Sequence, residues 1–275
     1  MQLTTRDRSI FRHLLDYGML TTQHILKFHF DGIAKTTVLR RLRILEEAHF
    51  IKRLHGLPTQ EVLWILTPKG ADILGGELFK KNFNRNLLDH DYKLLELRLL
   101  LEKAGVSQSW IPEHEIKHRL FQKYSRKEAL KKNVPDGIMM VTAQENKRVP
   151  VAVELELNLK SKERIKEVLK SYQFKKDLTA LWYVNHSEVI SKALFSEWRK
   201  LSYPNKNLKL YCSLYDDVMI NGAECEVECD SKILKLKDLF PAHTPAQGVS
   251  TSAMGLSKPS PILTTENNLA YAYPP

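Results

Sequence analysis

Residues 150–160 read PVAVELELNLK, and their apolar and polar side chains alternate with a period of two. The period predicts a strand with Val151, Val153, Leu155 and Leu157 on one face and Ala152, Glu154 and Glu156 on the other. Two carboxylates on one strand face repel each other unless a cation or a basic group lies between them. The stretch therefore predicts a sheet strand with one face whose carboxylates bind a cation or pair with a basic side chain.

The composition is that of a soluble globular protein with one large domain or two small ones. The chain has 275 residues, of which 43% are hydrophobic and 27% charged. Its net charge of +10 favours polyanionic partners, among which nucleic acid is the default. Three cysteines predict reduced thiols rather than a disulfide framework. Because no apolar signal region or bilayer-length apolar run occurs, we expect a cytoplasmic protein without a membrane partner.

The chain divides into three regions by composition. Residues 1–85 carry 14 Lys+Arg against 8 Asp+Glu, so this region holds +6 of the net +10, and we predict a DNA-binding domain there. Residues 86–240 alternate strand-like and helix-like segments and form the second predicted domain. Residues 241–275 are rich in Pro, Ser, Thr and Ala and nearly uncharged, which predicts a disordered tail.

The N-terminal region has the element order of a winged helix-turn-helix. TTRDRSIFRHLLDYGM has a threonine cap and ends near Gly18, TTQHILKFHF predicts a second helix with another threonine cap, and TTVLRRLRILEEAHFI predicts a third. IKRLHGLPTQEVLWILT then predicts two strands around a turn, and PKGADILGGEL a further helix. Three helices followed by a hairpin are typical of a winged helix.

In this fold the third helix enters the major groove and the hairpin lies near the backbone. The residues predicted to bind DNA are Lys35, Thr36, Thr37, Arg40, Arg41 and Arg43 on the third helix and Arg53 in the wing. Two alternatives stay open: a small helical domain with a solvated basic face, and a winged helix that contacts protein.

The second region contains a set of residues typical of metal-dependent phosphodiester hydrolysis. VPDGIMMV (134–141) predicts a strand beside 150–160, with Asp136 at its start. Asp136, Glu154 and Glu156 are the predicted ligands of one or two Mg²⁺ or Mn²⁺ ions, and Lys160 is the predicted catalytic lysine. The alternative is a solvent-facing strand whose glutamates pair with basic residues on neighbouring strands.

HEIKH (114–118) matches the H-E-x-x-H pattern of zinc proteases, which requires a helix. Because SWIPEHEIKHRLF resembles a strand that enters a charged stretch, we predict that these histidines lie about 13 Å apart and do not share a metal. A metalloprotease is therefore a remote hypothesis.

The order of helices and strands in residues 86–240 is that of a restriction-endonuclease-like core, which makes the predicted fold class α/β. With Asp136 in VPDG, ELE at 154–156 and Lys160, the chain resembles the replication-relaxation family, which includes MobC-type relaxases of mobilizable plasmids. Glu156 stands where nucleases of this type usually have a lysine. The catalytic lysine is therefore Lys160, Lys162 or neither.

The resemblance implies a relaxase that binds a plasmid's origin of transfer and nicks one strand with a divalent metal. It also implies a coupling protein and an accessory mobilization protein as partners. The competing hypothesis is a non-catalytic winged-helix regulator of plasmid replication or transcription, which the missing nuclease lysine favours.

Overall fold

The computed structural model describes residues 2–55, 61–75, 84, 87–142, 147–175, 177–201 and 207–242. It divides into two compact units, Met1–Leu95 and Glu96–Pro275. The predicted boundary between residues 85 and 86 lies outside the described residues. So does the predicted disordered tail, except for Pro241 and Ala242.

The described part of the first unit contains four short helices, a three-stranded sheet and the start of a fifth helix. The helices are α1 (Thr5–Tyr17), α2 (Thr22–His29), α3 (Lys35–Glu47) and α4 (Pro68–Asp72), and the strands are β1 (Leu20–Thr21), β2 (Ile51–Leu54) and β3 (Leu63–Leu66). The strands pair antiparallel in the order β1-β3-β2. This is the element order predicted for a winged helix, although the turn of the wing (56–60) lies outside the described residues.

The helix boundaries of the first unit follow from capping. Thr4 and Thr21 each accept a backbone hydrogen bond from the third residue of α1 and α2, respectively, and complete a capping box. Gly18 adopts φ of 80°, a left-handed conformation that suits glycine, and ends α1. These threonines and this glycine are the ones that the sequence indicated.

One buried carboxylate joins α1 to α3. Asp7 is only 1% exposed and accepts a hydrogen bond from the Arg41 Nε at 2.9 Å and another from the backbone N–H of Thr4 at 2.7 Å. Burial raises the pKa of Asp7, but the hydrogen bonds from Arg41 and Thr4 together outweigh burial and leave it below the ordinary value. Asp7 therefore stays ionised and fixes the rotation of α3 about its own axis.

The second unit is built on a seven-stranded mixed sheet with strand order β10-β9-β8-β7-β6-β5-β4. The strands are β4 (Ser109–Pro112), β5 (Gly137–Thr142), β6 (Arg148–Glu156), β7 (Ala180–Asn185), β8 (Lys209–Leu214), β9 (Glu226–Cys229) and β10 (Lys232–Lys235). Only β6-β7 and β7-β8 are parallel pairs among the described strands. The second unit is thus mixed α/β, as the sequence predicted.

Seven α-helices accompany this sheet in the described residues. They are α5 (Leu88–Lys103), which begins before the division between the units, α6 (Glu113–Lys123), α7 (Arg126–Lys131), α8 (Lys162–Gln173), α9 (Glu188–Arg199), α10 (Tyr215–Asn221) and α11 (Leu236–Leu239). Because α8 and α9 connect the parallel strands, they cover one face of the sheet, where Leu169, Tyr172 and Leu194 pack on Ala152 and Leu181.

The prediction that SWIPEHEIK forms a single strand is wrong. The strand stops at Pro112, and α6 begins at Glu113. Pro112 is the N-cap of α6, and Glu113 and Glu115 lie in its first turn, where carboxylates suit the helix dipole. HEIKH is therefore helical, and the predicted separation of about 13 Å between its histidines does not apply.

No helix in the described residues combines the length and the apolar composition needed to cross a membrane.

Replacing Asp7 with alanine should destabilise the first unit by about 2 kcal/mol, because it removes the Asp7 half of the capping box and leaves Arg41 without its buried partner. Native-state amide hydrogen exchange in α1 and α3 measures this. An ionised group with a lowered pKa stabilises above its unfolded value, so the difference should shrink as the pH falls below 3.8, the unperturbed pKa of the carboxyl.

Glu46→Ala is the control for this prediction. Glu46 pairs with Arg53 at the surface, so its loss should cost less than about 1 kcal/mol. Equal effects of the two substitutions would show that Asp7 does not hold α3.

Candidate functional site

The first candidate site is the outward face of α3. Val38, Leu42 and Leu45 are fully buried, so the opposite side of the helix is exposed. Five of the predicted DNA-binding residues are exposed there: Lys35, Thr36, Thr37, Arg40 and Arg43. Leu39 is 40% exposed on the same helix. The surface therefore combines positive charge, two hydroxyls and an apolar side chain, which together suit phosphates and base edges.

The other two predicted DNA-binding residues have partners within the protein. Arg41 is held by Asp7 and also donates to the Gln2 carbonyl oxygen at 3.3 Å. The Arg53 Nε donates to Glu46 at 2.8 Å, and its guanidinium carbon lies 5.5 Å from the Trp64 ring centroid. The helical period places Arg41 beside the buried stripe, three residues after Val38 and four before Leu45, but it does not reveal a partner that lies 34 residues away.

The second candidate site lies where β5 begins and β6 ends. Asp136 directly precedes β5, as predicted, and its Oδ2 accepts a hydrogen bond from the backbone N–H of Leu155 at 2.8 Å. The Tyr172 hydroxyl donates to Glu154 Oε1 from α8. Asp136 lies close enough to Glu154 for its charge to raise the pKa of Glu154. We call them the carboxylate pair.

Gly137 makes room for this arrangement. A Cβ on this residue would lie 2.3 Å from the Trp110 ring of β4, far inside van der Waals contact. Only glycine therefore lets Trp110 pack against the strand that presents Asp136. The sequence shows the Pro-Asp-Gly turn but not this reason for its glycine.

Glu156 and Lys160 contact each other. The Lys160 Nζ lies 2.5 Å from Glu156 Oε2, and the lysine side chain is 47% exposed. Glu156 shares a strand face with Glu154, as the alternation predicted, but Ala152 on that face is fully buried under α8. In the described part of the chain, no three His, Cys, Asp or Glu side chains are grouped so that they could hold a metal.

Two carboxylates can suffice for Mg²⁺, which typically takes one or two and completes its shell with water and substrate phosphate. Asp136 and Glu154 meet that minimum. Both carboxylates already accept protein hydrogen bonds, and these would fix their orientation toward an ion.

Sequence reasoning missed the buried lysine of this site, Lys175. It is 7% exposed, its Nζ donates to the Asn133 carbonyl oxygen at 2.8 Å, and it lies 4.2 Å from the Tyr172 ring centroid. Burial lowers the pKa of Lys175 to about 7, against the attraction of Glu154. The sequence FKKD around it has no pattern that marks a buried lysine.

Burial raises the pKa of Glu154 to about 8, and the charge of Asp136 adds to this effect. The Tyr172 hydrogen bond, Lys160 and Lys175 act in the opposite direction. Two ionisable groups with perturbed pKa values near neutrality are typical of functional sites, although structural networks produce them too.

HEIKH lies on α6, which begins beside Asp136: the backbone N–H of Glu113 donates to the Asp136 carbonyl oxygen at 3.1 Å. Lys117 pairs with Glu113, and Glu115, the position of the zinc-protease base, pairs with Arg119. Ile116 and Leu120 face the core. The helix satisfies the spacing requirement, but the motif's glutamate is bound to an arginine.

Comparisons with known proteins do not assign the chain to a family. No protein-family model matches it, and no curated protein does. Among solved structures, a cysteine-to-serine mutant of Lactococcus lactis ZitR is 20% identical, with 48% of this chain and 77% of that chain covered and a TM-score of 0.24. A glutamate-to-alanine mutant of the same ZitR is also 20% identical, over 46% and 77%, with a TM-score of 0.23. Such TM-scores are too low to support conclusions about fold or function.

Glu154→Gln should stabilise the second unit by at least about 1 kcal/mol at pH 8, because it removes a carboxylate that burial disfavours. The pKa of Glu154 is 4.5 in the unfolded chain and about 8 in the folded one. The contribution of this group to stability is therefore fully present below pH 4.5 and is lost as the pH rises through 8. The gain should therefore disappear near pH 4.5. At pH 8 Lys175 is mostly neutral, so the substitution does not leave a buried cation without a carboxylate partner.

Urea unfolding across this pH range, followed by hydrogen exchange in β6 and β7, provides the measurement. Glu156→Gln is the control, since its pair with the exposed Lys160 should contribute less than about 1 kcal/mol. A Glu154→Gln protein that is less stable than wild type at pH 8 would contradict the burial of an ionisable carboxyl here.

Proposed function

We propose that the protein binds duplex DNA through its first unit, with α3 in the major groove. The exposed basic face of α3 is the observation that carries this proposal, because Lys35, Arg40 and Arg43 lie on the helix that a winged helix offers to DNA. The net charge of +10 supports a polyanionic partner.

Base contacts would provide sequence specificity and phosphate contacts would provide affinity. Arginine pairs with guanine by two hydrogen bonds, and an apolar side chain such as Leu39 suits the thymine methyl group. Arg41 takes part indirectly, since it holds α3 through Asp7. On this basis the protein is a winged-helix DNA-binding regulator, and the resemblance to the replication-relaxation family suggests a plasmid replication or transcription locus.

Arg40→Gln with Arg43→Gln should weaken binding to a duplex selected from a random-sequence pool by at least about tenfold. It should also lower the slope of log affinity against log salt by up to about 2, because each of the two arginines that contacts a phosphate accounts for about 0.9. Fluorescence anisotropy over a series of salt concentrations gives both quantities.

The matched control replaces Arg6 and Arg8, two exposed arginines of α1, with glutamine. It changes the net charge equally but leaves α3 intact, so affinity should fall less than about threefold. Equal losses in the two variants would argue against α3 as the DNA contact.

We also propose a second candidate function, metal-dependent nicking at an origin of transfer, as the resemblance to MobC-type relaxases implies. The carboxylate pair at the β5–β6 edge favours it. Asp136 and Glu154 would hold Mg²⁺ or Mn²⁺, which supplies an activated water and offsets charge on the phosphate. The Leu155 N–H and the Tyr172 hydroxyl orient the two carboxylates. A coupling protein and an accessory mobilization protein would be the partners of such an enzyme.

Asp136→Asn should abolish nicking of supercoiled DNA that carries the protein's own locus, while DNA binding through the first unit is retained. Conversion to open circles is measured on gels with Mg²⁺ or Mn²⁺, and EDTA should stop it. Full nicking by Asp136→Asn would refute this site, and no nicking by wild type would leave the regulator as the function.

A further inference from the structure

Residues 86–240 contain a strongly basic stretch of ten residues. Residues 123–132 read KYSRKEALKK and contain five Lys+Arg and one Asp+Glu, a net +4. Residues 86–240 together contain 27 Lys+Arg and 23 Asp+Glu, also a net +4, so the remainder of that region is neutral. We call residues 123–132 the α7 basic segment.

This segment presents its charge to solvent. Lys123, Arg126, Lys127 and Lys131 are exposed, and the buried Ala129 anchors α7 on its other side. The Ser125–Glu128 capping box fixes the start of α7 and uses the segment's one carboxylate. The cap and the buried alanine thus fix the position of α7 and of the basic surface that it presents.

Aromatic and apolar groups lie among these charges. Tyr124 is half-buried, with the Lys132 and Lys123 ammonium groups 4.1 Å and 5.5 Å from its ring centroid. Phe121 is 45% exposed at the end of α6, and Leu130 is 68% exposed on α7. Basic side chains interleaved with an exposed aromatic ring are typical of surfaces that track a nucleic-acid strand.

The segment leads directly to the carboxylate pair. Only residues 133–135 separate Lys132 from Asp136, so their Cα atoms lie at most about 14 Å apart. The Lys175 Nζ holds this connection through its hydrogen bond to the Asn133 carbonyl oxygen. A strand bound along the segment would therefore lie within a few nucleotides of Asp136 and Glu154.

We infer that the α7 basic segment is a second nucleic-acid-binding surface, located on the second unit, that holds a DNA phosphate backbone beside the carboxylate pair. It extends the proposed DNA-binding function beyond α3 and rests on that function only in its choice of polyanion. Charge complementarity identifies the partner, since five cations in ten residues suit a backbone with one negative charge per phosphate.

The test compares two variants of the full chain that lose equal charge. The first replaces Arg126, Lys127 and Lys131 with glutamine. The control replaces Arg164, Lys166 and Lys170, which are also exposed and lie on α8. Each variant is made alone and with Arg40→Gln and Arg43→Gln, and each is titrated with random-sequence duplex and single-stranded oligonucleotides.

In the background without Arg40 and Arg43, the α7 variant should lose at least about tenfold in affinity. Its salt slope should fall by up to about 2.7 on duplex or about 2 on single strands. The α8 control should change affinity less than about threefold. The larger loss identifies whether single or double strands occupy the segment.

Equal losses in the α7 and α8 variants would overturn the inference without affecting the proposal for α3, which the Arg40 and Arg43 substitutions test separately. A parallel experiment measures the binding of the same variants to vesicles of phosphatidylserine and phosphatidylcholine. Loss of vesicle binding with unchanged DNA binding would assign the segment to a membrane surface instead. If the triple variant fails to fold, as judged by circular dichroism, Lys127→Glu is compared with Lys166→Glu under the same criteria.

Discussion

The structure depends on one constraint: each buried charge must have a polar partner. A buried charge without such a partner costs several kcal/mol, which is comparable with the stability of a whole domain. Asp7 meets this requirement through Arg41 and the first turn of α1. Because Arg41 belongs to α3, the same contact that keeps the carboxylate ionised also sets which side of α3 turns away from the core.

The three arginines of α3 therefore have different roles. Arg41 pairs with Asp7 of α1 and stabilises the first unit, whereas Arg40 and Arg43 face solvent. Val38, Leu42 and Leu45 complete the inner side of α3. The outward side is thereby available for a large polyanionic partner.

In the second unit the buried charges also have polar partners, but these partners compensate less of the cost of burial. Burial raises the pKa of Glu154 and lowers the pKa of Lys175, both toward neutrality, although Glu154 has the Tyr172 hydroxyl and Lys175 a backbone carbonyl as a hydrogen-bond partner. Such a cluster is expensive for a purely structural core. Its position beside the α7 basic segment gives it access to whatever phosphate backbone that segment holds.

Much of this architecture was predictable from local sequence. Thr4, Thr21 and Gly18 mark helix ends by short-range hydrogen bonds and backbone freedom, and the alternation in PVAVELEL predicts β6. The sequence does not predict that HEIKH is helical, because Pro112 favours an extended chain and yet is the N-cap of α6. The contacts of Arg41, Tyr172 and Lys175 join residues 18 to 42 positions apart, which no local period encodes.

The most direct test of the account is to locate α3 on DNA. Thr36 is exposed at the start of α3, and Cys212, Cys225 and Cys229 are all buried, so Thr36→Cys provides a single accessible thiol. An iron–EDTA reagent attached there cleaves DNA near its point of attachment. If α3 lies in the major groove, cleavage of the selected duplex should be confined to a few nucleotides within the binding site. Cleavage spread evenly along the duplex, or none in a complex that still forms, would contradict the account.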